Sequence, residues 1–326
     1  MQTTFIPNLV TTIIPVFNRA KMVIQAVDSV LKQTYRPIEI ILVNDGSTDN
    51  TPQVLENLAK QHLEITVIHR ENGGAGLARE TGRLASQGEF IQYLDSDDWL
   101  LPNKFTDQVK ALQDHPNCAI AYGTSMLVAE DGSTIDAVSR GTGTQIDYLF
   151  PRLLLERWWH THTPLFRREI VESAGAWPKQ RPEDWDVEAR MGAKKVRLIH
   201  CGSVVSCQLD HAGAERVSRQ SQTAYLRDEA WFLPRLYHCA LEAGMTHEDK
   251  EMQVFARWLF MRARDLGRLG EIKQADSLLH LAKTIANQSQ LYLQLVSLMR
   301  KFFGWHLTSK LCSTYIQFSP TFPKGK

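Results

Sequence analysis

Short apolar runs alternate with longer amphipathic stretches over the first ninety-odd residues. Leu9–Phe17, Ile38–Val43, Ile65–His69 and Phe90–Leu94 are compact runs rich in β-branched or aromatic residues. Between them lie patterns of helical period: Val23, Val27, Val30 and Leu31 in the first, then Thr51–Gln61 and Ala75–Gln87. This alternation predicts repeated strand–helix units and an α/β domain whose mostly parallel sheet is covered on both faces. Ligands of such sheets bind outside the carboxyl ends of the strands, so the residues just after each apolar run carry the most interest.

Farther along, the pattern changes. Pro102 suits the first turn of a helix running to about Asp114. Ala119–Val128, a turn at Asp131-Gly132, and Ser133–Val138 predict a hairpin. From about Gln220 onward strand signals fade, and Gln222–Ala243, Glu248–Leu269 and Glu271–Asn287 read as helices, with Gly270 as a stop between the last two. In the tail, Leu291, Leu295, Leu298 and Phe302 follow helical spacing, Met299 and Phe303 widen the stripe, and Gly304 is expected to end the helix. Arg300, Lys301, Lys310 and Trp305 lie close by. A basic amphipathic helix with aromatics can lie in a membrane interface. Packing of the stripe against the helices of residues 222–287 is the favoured expectation, because few charges flank it. The predicted organisation is an α/β domain over residues 1–219, in halves 1–115 and 116–219, then a helical region over 220–326.

Composition narrows the partners. Of 326 residues, 43% are hydrophobic, enough for a large core, while 37 Lys and Arg nearly cancel 36 Asp and Glu. A near-neutral chain has no global field to hold a polyanion, so nucleic acid is not the expected partner and phosphate recognition has to be local. Five cysteines (Cys118, Cys201, Cys207, Cys239, Cys312) are scattered with no zinc or disulfide spacing. The chain begins without a signal-peptide pattern and has no uncharged apolar stretch long enough to span a bilayer. The expected location is cytoplasmic, with the tail as a route to peripheral contact at the inner membrane face.

Candidate chemistry sits at the strand ends. Asn44-Asp45-Gly46-Ser47-Thr48-Asp49 follows the second strand. Ser47, Thr48 and Asp49 read mainly as caps of the next helix, whereas Asp45, at the strand's end, can equally serve as a turn residue or accept hydrogen bonds from a ribose or base. Gly73-Gly74-Ala75-Gly76 opens the third helix, but a dinucleotide fingerprint belongs at the first strand–helix turn, where this chain has Pro15-Val16-Phe17-Asn18. Arg79, one turn later, reads either as a surface residue or as a partner for phosphate or carboxylate. Asp95-Ser96-Asp97-Asp98 places three carboxylates in four residues directly after the fourth strand. They repel one another unless a cation or solvent offsets them; an Asp-x-Asp there is a compact oxygen set for Mg²⁺ or Mn²⁺, and the alternative is an acidic loop capping the helix at Pro102. Asp98 is assigned to capping the helix near Pro102. Glu183-Asp184-Trp185-Asp186 is a good helix start that could also turn one carboxylate into a cleft as a general base. His211 reads as structural before it reads as a ligand, and Trp158-Trp159 fits aromatic core or a sugar platform.

Taken together, these segments resemble glycosyltransferase family 2, the inverting group with the GT-A fold. The resemblance is dense over residues 9–110. It is carried by Ile14-Pro15-Val16-Phe17-Asn18-Arg19, Ser29-Val30-Leu31-Lys32-Gln33-Thr34, Ile40–Asp49, Asn72-Gly73-Gly74, Ala78-Arg79, Gly88-Glu89-Phe90-Ile91 and Leu94–Asp98. It thins after residue 115, returns at Leu165-Phe166-Arg167-Arg168 and Pro182–Asp186, and is absent beyond about 225. It implies a nucleotide-binding half over 1–115 and an acceptor or catalytic half over 116–219, with a nucleoside-diphosphate sugar as donor, UDP-type favoured, and a saccharide or lipid-linked hydroxyl as acceptor. By the same resemblance Asp45 contacts the base or ribose, Pro15 and Phe17 shape the nucleotide pocket, and Asp95 lies near the ribose. Arg79 is grouped with the donor-binding residues, Asp97 binds the Mn²⁺ or Mg²⁺, Asp184 is the catalytic base, and His211 joins the metal or diphosphate contacts. Two positions depart from the family pattern: Glu80 stands where asparagine is common, and Asn44 where a second aspartate is common. A nucleotidyltransferase would also use a metal-holding Asp-x-Asp, but it needs a glycine-rich phosphate loop after the first strand. A non-catalytic nucleotide-sugar binder would be expected to have lost Asp97 or Asp184.

Overall fold

The computed structural model describes residues 5–210, 222–286 and 292–318. The chain divides into two compact units. Met1–Leu149, Arg157–Lys179 and Glu183–Gly213 make the first; Phe150–Glu156, Gln180–Pro182 and Ala214–Lys326 make the second.

In the first unit, strands β1 (Ile6–Val16), β2 (Ile38–Asp45), β3 (Ile65–Arg70) and β4 (Gly88–Tyr93) are separated by helices α1 (Met22–Leu31), α2 (Thr51–Gln61) and α3 (Ala75–Ala85). β1 lies between β2 and β4, β2 pairs with β3, and all three pairings are parallel, as the alternating pattern predicts. Then come β5 (Trp99–Leu100), α4 (Lys104–Asp114), β6 (Cys118–Ala129), β7 (Thr134–Asp136), β8 (Leu165–Arg167), α5 (Arg168–Ala174), α6 (Glu183–Ala193) and β9 (Arg197–Asp210). Short β8 runs antiparallel to both β4 and β6 and so joins the parallel half to a β6–β9 pair. The sheet order is β3-β2-β1-β4-β8-β6-β9-β5, with β7 paired to β6 as the predicted hairpin. It is a mixed sheet.

Side chains of β1 and β2 alternate between two covered faces. Val10, Ile14 and Val16 of β1 and Ile40 and Leu42 of β2 pack with Val23, Val27 and Val30 of α1, Leu55 of α2 and Val109 of α4. Ile41 and Val43 turn the other way, toward Ala78 of α3. α3 lies so close to β1 that a Cβ on Gly82 would overlap the Ile13 side chain, a close approach only glycine permits.

A lysine lies inside this core. Lys104, at the start of α4, is fully buried, and its Nζ donates to Gln108 Oε1 at 2.6 Å and Thr163 O at 2.8 Å. Burial pushes its ammonium down to about 7 from 10.5. Between those values the unfolded chain holds a proton that the folded chain has released. Stability therefore rises with pH across this window, by at most ~1.4 kcal/mol per pH unit, and below about pH 7 this contribution is flat. Lys104→Met is expected to remove that slope: between pH 7 and 9 the wild-type melting temperature should gain on the variant's. Parallel curves would show that the amine stays charged in the folded protein.

The second unit carries α7 (Gln222–Glu242), α8 (Lys250–Arg268), α9 (Ile272–Ile285) and α10 (Tyr292–Phe318). Met252, Phe255, Leu259 and Phe260 of α8 and Leu278, Leu279 and Ile285 of α9 are buried, and Gly270 turns the chain between them at φ +82°. The tail expectation needs correcting. α10 packs, but through Leu293, Val296 and Trp305, while Leu295, Leu298 and Phe302 are more than half exposed; Leu291 lies outside the described residues. Trp305 sits against Gly267 and donates to Asp276 Oδ1 at 2.7 Å, and Arg300 pairs with the same carboxylate. Polar anchoring of Trp305 and Arg300 thus turns the helix away from its most apolar stripe. Gly304 leaves helical geometry at φ 68° and ψ 173°, so the first helical segment of α10 ends there as expected, and a second segment follows it. Among the described residues no helix is long and apolar enough to cross a membrane.

Candidate active site

All site residues described here belong to the first unit. At the carboxyl end of β1, Pro15 pairs in register with Val43 of β2, and Phe17 follows with its ring 45% exposed. Asn18 crosses to the next strand's turn, its Oδ1 accepting from Thr48 N at 2.8 Å. In that turn Asn44 Oδ1 accepts from Ser47 N at 3.0 Å, and Asp49 Oδ1 accepts from Thr51 N at 2.9 Å, at the start of α2. The N-cap of α2 is Asn50 and no side chain caps that helix, so Asp49 makes a local turn onto Thr51 rather than the expected cap. Asp45 is buried, and its carboxylate accepts from the amides of Gly73 (3.0 Å) and Gly74 (2.7 Å) and from the Arg70 guanidinium. Gly74, at φ +95°, brings its amide round to that carboxylate. The glycine run therefore closes on Asp45, and the carboxylate expected to meet the donor is bonded within the protein.

After β4 the acidic loop alternates. Asp95 and Asp97 are half-buried, whereas Ser96 and Asp98 are buried. Asp98 is no helix cap, contrary to the sequence expectation: no side chain caps α4. Its Oδ2 lies 2.8 Å from His162 Nδ1, and its Oδ1 accepts from Leu209 N at 3.0 Å. His162 Nε2 lies 3.3 Å from Ser125 Oγ. Burial pushes the Asp98 carboxyl up, and His162 works against that. Ser125, His162 and Asp98 form a line like a hydrolase triad, but all three are buried, so no substrate carbonyl reaches Ser125. The line instead ties the loop that carries Asp97 to β6 and β9.

Arg79 bridges this loop to α6. Its side chain is 5% exposed; Nη2 meets Asp95 Oδ1 at 2.6 Å and Nη1 meets Glu183 Oε1 at 2.7 Å, with the guanidinium carbon 5.0 Å from the Trp177 ring centroid. The partner of Arg79 is carboxylate. Glu80, the departure from the family pattern, holds Arg83 at 2.8 and 2.6 Å and accepts from Trp177 N at 3.1 Å, so it steadies the tryptophan beneath Arg79. Asn44 Nδ2 meets His69 Nδ1 at 2.9 Å.

α6 starts at Glu183, so the acidic run is both a helix start and a wall of the site. Asp184 Oδ2 pairs with Arg157 Nη1 at 2.9 Å and accepts from Thr161 Oγ1 at 3.3 Å, and Oδ1 accepts from Trp185 N at 2.8 Å. Burial works to raise the Asp184 carboxyl, but the guanidiniums of Arg157 and Arg79 outweigh it and hold the group below the usual carboxylate range. Glu183 goes the other way, raised by burial despite Arg79. Neighbouring carboxyls pushed apart in this way are a recurrent mark of catalytic sites.

Trp158 and Trp159 are buried to 1% and 0% exposure; they are core, not a sugar platform. His211 lies outside the described residues. Among the described residues no three His, Cys, Asp or Glu side chains converge as a metal site. The donor set still fits a hard divalent ion, because carboxylates outnumber guanidiniums between Asp95 and Glu188 and such ions need only one or two protein carboxylates beside a diphosphate. Arg70, Arg157, His162 and Glu188 escape a reading of the sequence. Glu188 alone carried a signal, four residues after Asp184 on one helix face; the others meet their partners only across the fold.

Residues 11–172 match the family model described as Glycosyl transferase family 2. A glycosyltransferase of Rickettsia felis whose activity is uncharacterised is 35% identical over 196 residues, covering 59% of this chain and 32% of that protein. The glycosyltransferase GlyG of Streptococcus pneumoniae is 38% identical over 107 residues, 32% of this chain and 36% of its own. The chain thus spans about a third of the length of these two curated relatives. Among solved structures, S. aureus TarS 1-349 in complex with UDP-GlcNAc superposes with a TM-score of 0.69 at 18% identity, covering 94% of this chain and 91% of that one. The mannosyltransferase PcManGT of Pyrobaculum calidifontis, in complex with GDP-Man and Mn²⁺, gives 0.53 at 16% identity, covering 95% and 87%. At these identities the likeness is one of fold.

Proposed function

We propose, for a chain that carries a glycosyltransferase family 2 domain over residues 11–172, that the protein transfers a sugar from a nucleoside-diphosphate donor to an acceptor hydroxyl with inversion, assisted by a divalent metal. The observation that carries the reading is the Arg79 bridge. One buried guanidinium joins Asp95, on the loop after β4, to Glu183, beside Asp184, and so draws together groups 88 positions apart in sequence. UDP-GlcNAc in one structural neighbour and GDP-Man with Mn²⁺ in another support a nucleotide-sugar donor and a metal.

As the sugar–phosphate bond lengthens, positive charge builds on the ring and negative charge on the leaving diphosphate. Asp97 would hold Mn²⁺ or Mg²⁺, with His211 as a further ligand, and the ion supplies counter-charge to the leaving group. Asp45, with Arg70 and the Gly73-Gly74 amides, would form the wall at the nucleotide's base or ribose, beside Pro15 and Phe17, with Asp95 near the ribose. The acceptor hydroxyl, of a saccharide or a lipid-linked sugar, attacks the anomeric carbon from the face opposite the diphosphate. Its proton passes to Asp184, a transfer worth about 10²–10⁴-fold. A single displacement inverts the configuration.

A panel of nucleotide sugars incubated with Mn²⁺ tests this by release of the nucleoside diphosphate, with water as a slow acceptor. Release is expected from at least one donor, a UDP sugar first. A panel in which none is cleaved and none binds would overturn the reading.

A further inference from the structure

Arg157 faces two carboxylates of α6 at once. Nη1 meets Asp184 Oδ2 at 2.9 Å, while Nε and Nη2 grip Glu188 through two bonds of 2.8 and 2.7 Å. Asp184 and Glu188 are one helical turn apart and so present the same face. Thr161 closes the group, with Arg157 Nη2 at 3.4 Å and its own hydroxyl donating to Asp184 Oδ2. Exposure falls steadily inward, from 23% at Asp184 to 9% at Arg157 and 5% at Glu188.

Glu188 has no place in the proposed chemistry, yet a buried carboxylate costs stability unless it is well paired. A two-bond fork fixes a guanidinium in plane as well as in position. With Nε and Nη2 held by Glu188, the guanidinium plane is fixed, and Nη1 is left 2.9 Å from Asp184 Oδ2. We infer that Arg157, anchored by Glu188, is a positioning residue for Asp184: with Arg157 and Thr161 both on Oδ2, Oδ1, which accepts from the Trp185 amide at 2.8 Å, keeps the lone pair that takes the acceptor's proton. The inference rests on the reading of Asp184 as the base.

The charged groups around Asp184 set the direction of a test. Arg157 and Arg79 face it from the 157–163 segment and α3, Glu183 and Glu188 share its helix, and Asp95 lies across Arg79. Without Arg157 and Glu188, burial and the two remaining carboxylates act against Arg79 alone, so the Asp184 carboxyl titrates at higher pH. Removing Arg157 by itself would strand Glu188, so the informative variant is Arg157→Gln with Glu188→Gln. Carbon-13 NMR of aspartate-labelled protein, with the Asp184 resonance assigned by its loss in Asp184→Asn, should show the titration midpoint rising by about one pH unit or more. The acid limb of the kcat profile for donor cleavage should rise with it, while donor KM stays within about twofold. Arg157→Lys keeps a charge but not the fork; its midpoint should stay near wild type while kcat falls about tenfold or more from lost orientation.

An unmoved midpoint in the double variant, even with a lower melting temperature, would make the pair merely structural and overturn the inference. Wild-type kcat in Arg157→Lys would do the same for the fork. Asp184→Asn separates the two failures. If that variant still turns over, the base reading itself is wrong; if it does not, an unmoved midpoint counts against Arg157 alone.

Discussion

Asp184→Asn is expected to bind donor within about twofold of wild type and to turn over at least about 10²-fold more slowly. The substitution is nearly isosteric, so the local geometry survives. The asparagine carbonyl can face Arg157 and Thr161, keeping the bonds now made by Oδ2, while the amide nitrogen takes the place of Oδ1, gives up the bond from the Trp185 amide and points toward the acceptor. A group that donates hydrogen bonds cannot accept the hydroxyl's proton, so the loss falls on kcat. Steady-state kinetics beside a donor titration separate the two quantities. The alternatives on α6 are weaker by geometry. Asp186 is buried and paired with Arg190 at 2.9 Å, and Glu183 Oε1 is held by Arg79. Unchanged turnover would pass the role to Glu183, whose second oxygen remains.

Titrating a nucleoside diphosphate into the wild-type protein by calorimetry should give tight binding with Mn²⁺ and at least about tenfold weaker binding with a chelator. The reason is electrostatic. A diphosphate brought to the loop after β4 meets Asp95 and Asp97, and like charges at that range repel unless a cation lies between them. Asp97→Ala should lose most of the Mn²⁺ dependence. Because the variant also removes one repelling carboxylate, its affinity in chelator should equal or exceed that of wild type in chelator. That crossed pattern distinguishes a metal ligand from a residue whose loss merely disturbs the fold, which would weaken binding in both conditions. Equal affinity in all four titrations would remove Asp97 from metal binding.

Asp97 sits at the end of an element with a strong periodic signal, whereas Asp184 is told apart from Glu183 and Asp186 only by the family resemblance. β1 to β4 fall within a few residues of the runs Leu9–Phe17, Ile38–Val43, Ile65–His69 and Phe90–Leu94. A strand buried on both faces leaves little freedom over which residues are apolar, and a helix covering it must repeat its apolar positions at 3.6. Those constraints are local. The carboxyl ends of the strands follow from them, and with them the positions of Asp45, Asp95 and Asp97.

The tail shows where local pattern stops. Its most apolar stripe, Leu295, Leu298 and Phe302, is the exposed one, because the rotation of α10 is set by what Asp276 of α9 offers to Arg300 and Trp305. Periodicity tells how wide an apolar face is, not which neighbour it meets.

The sequence by itself determined the order of strands and helices over the first ninety-odd residues, the two-sided burial of the parallel half, and the strand ends at which carboxylates gather. Only the tertiary structure decided what each carboxylate is bonded to: Asp98 to His162, Asp45 to Arg70 and the Gly73-Gly74 amides, Asp95 and Glu183 to one arginine, Asp184 and Glu188 to another. The physical reason is separation. Secondary structure answers to neighbours within a turn or a pleat, whereas the pairing of a buried charge answers to whichever opposite charge the fold brings within about 3 Å, and desolvation makes that choice binding. Glu188 is four residues from Asp184, but the guanidinium that joins them comes from Arg157, on another segment of the chain.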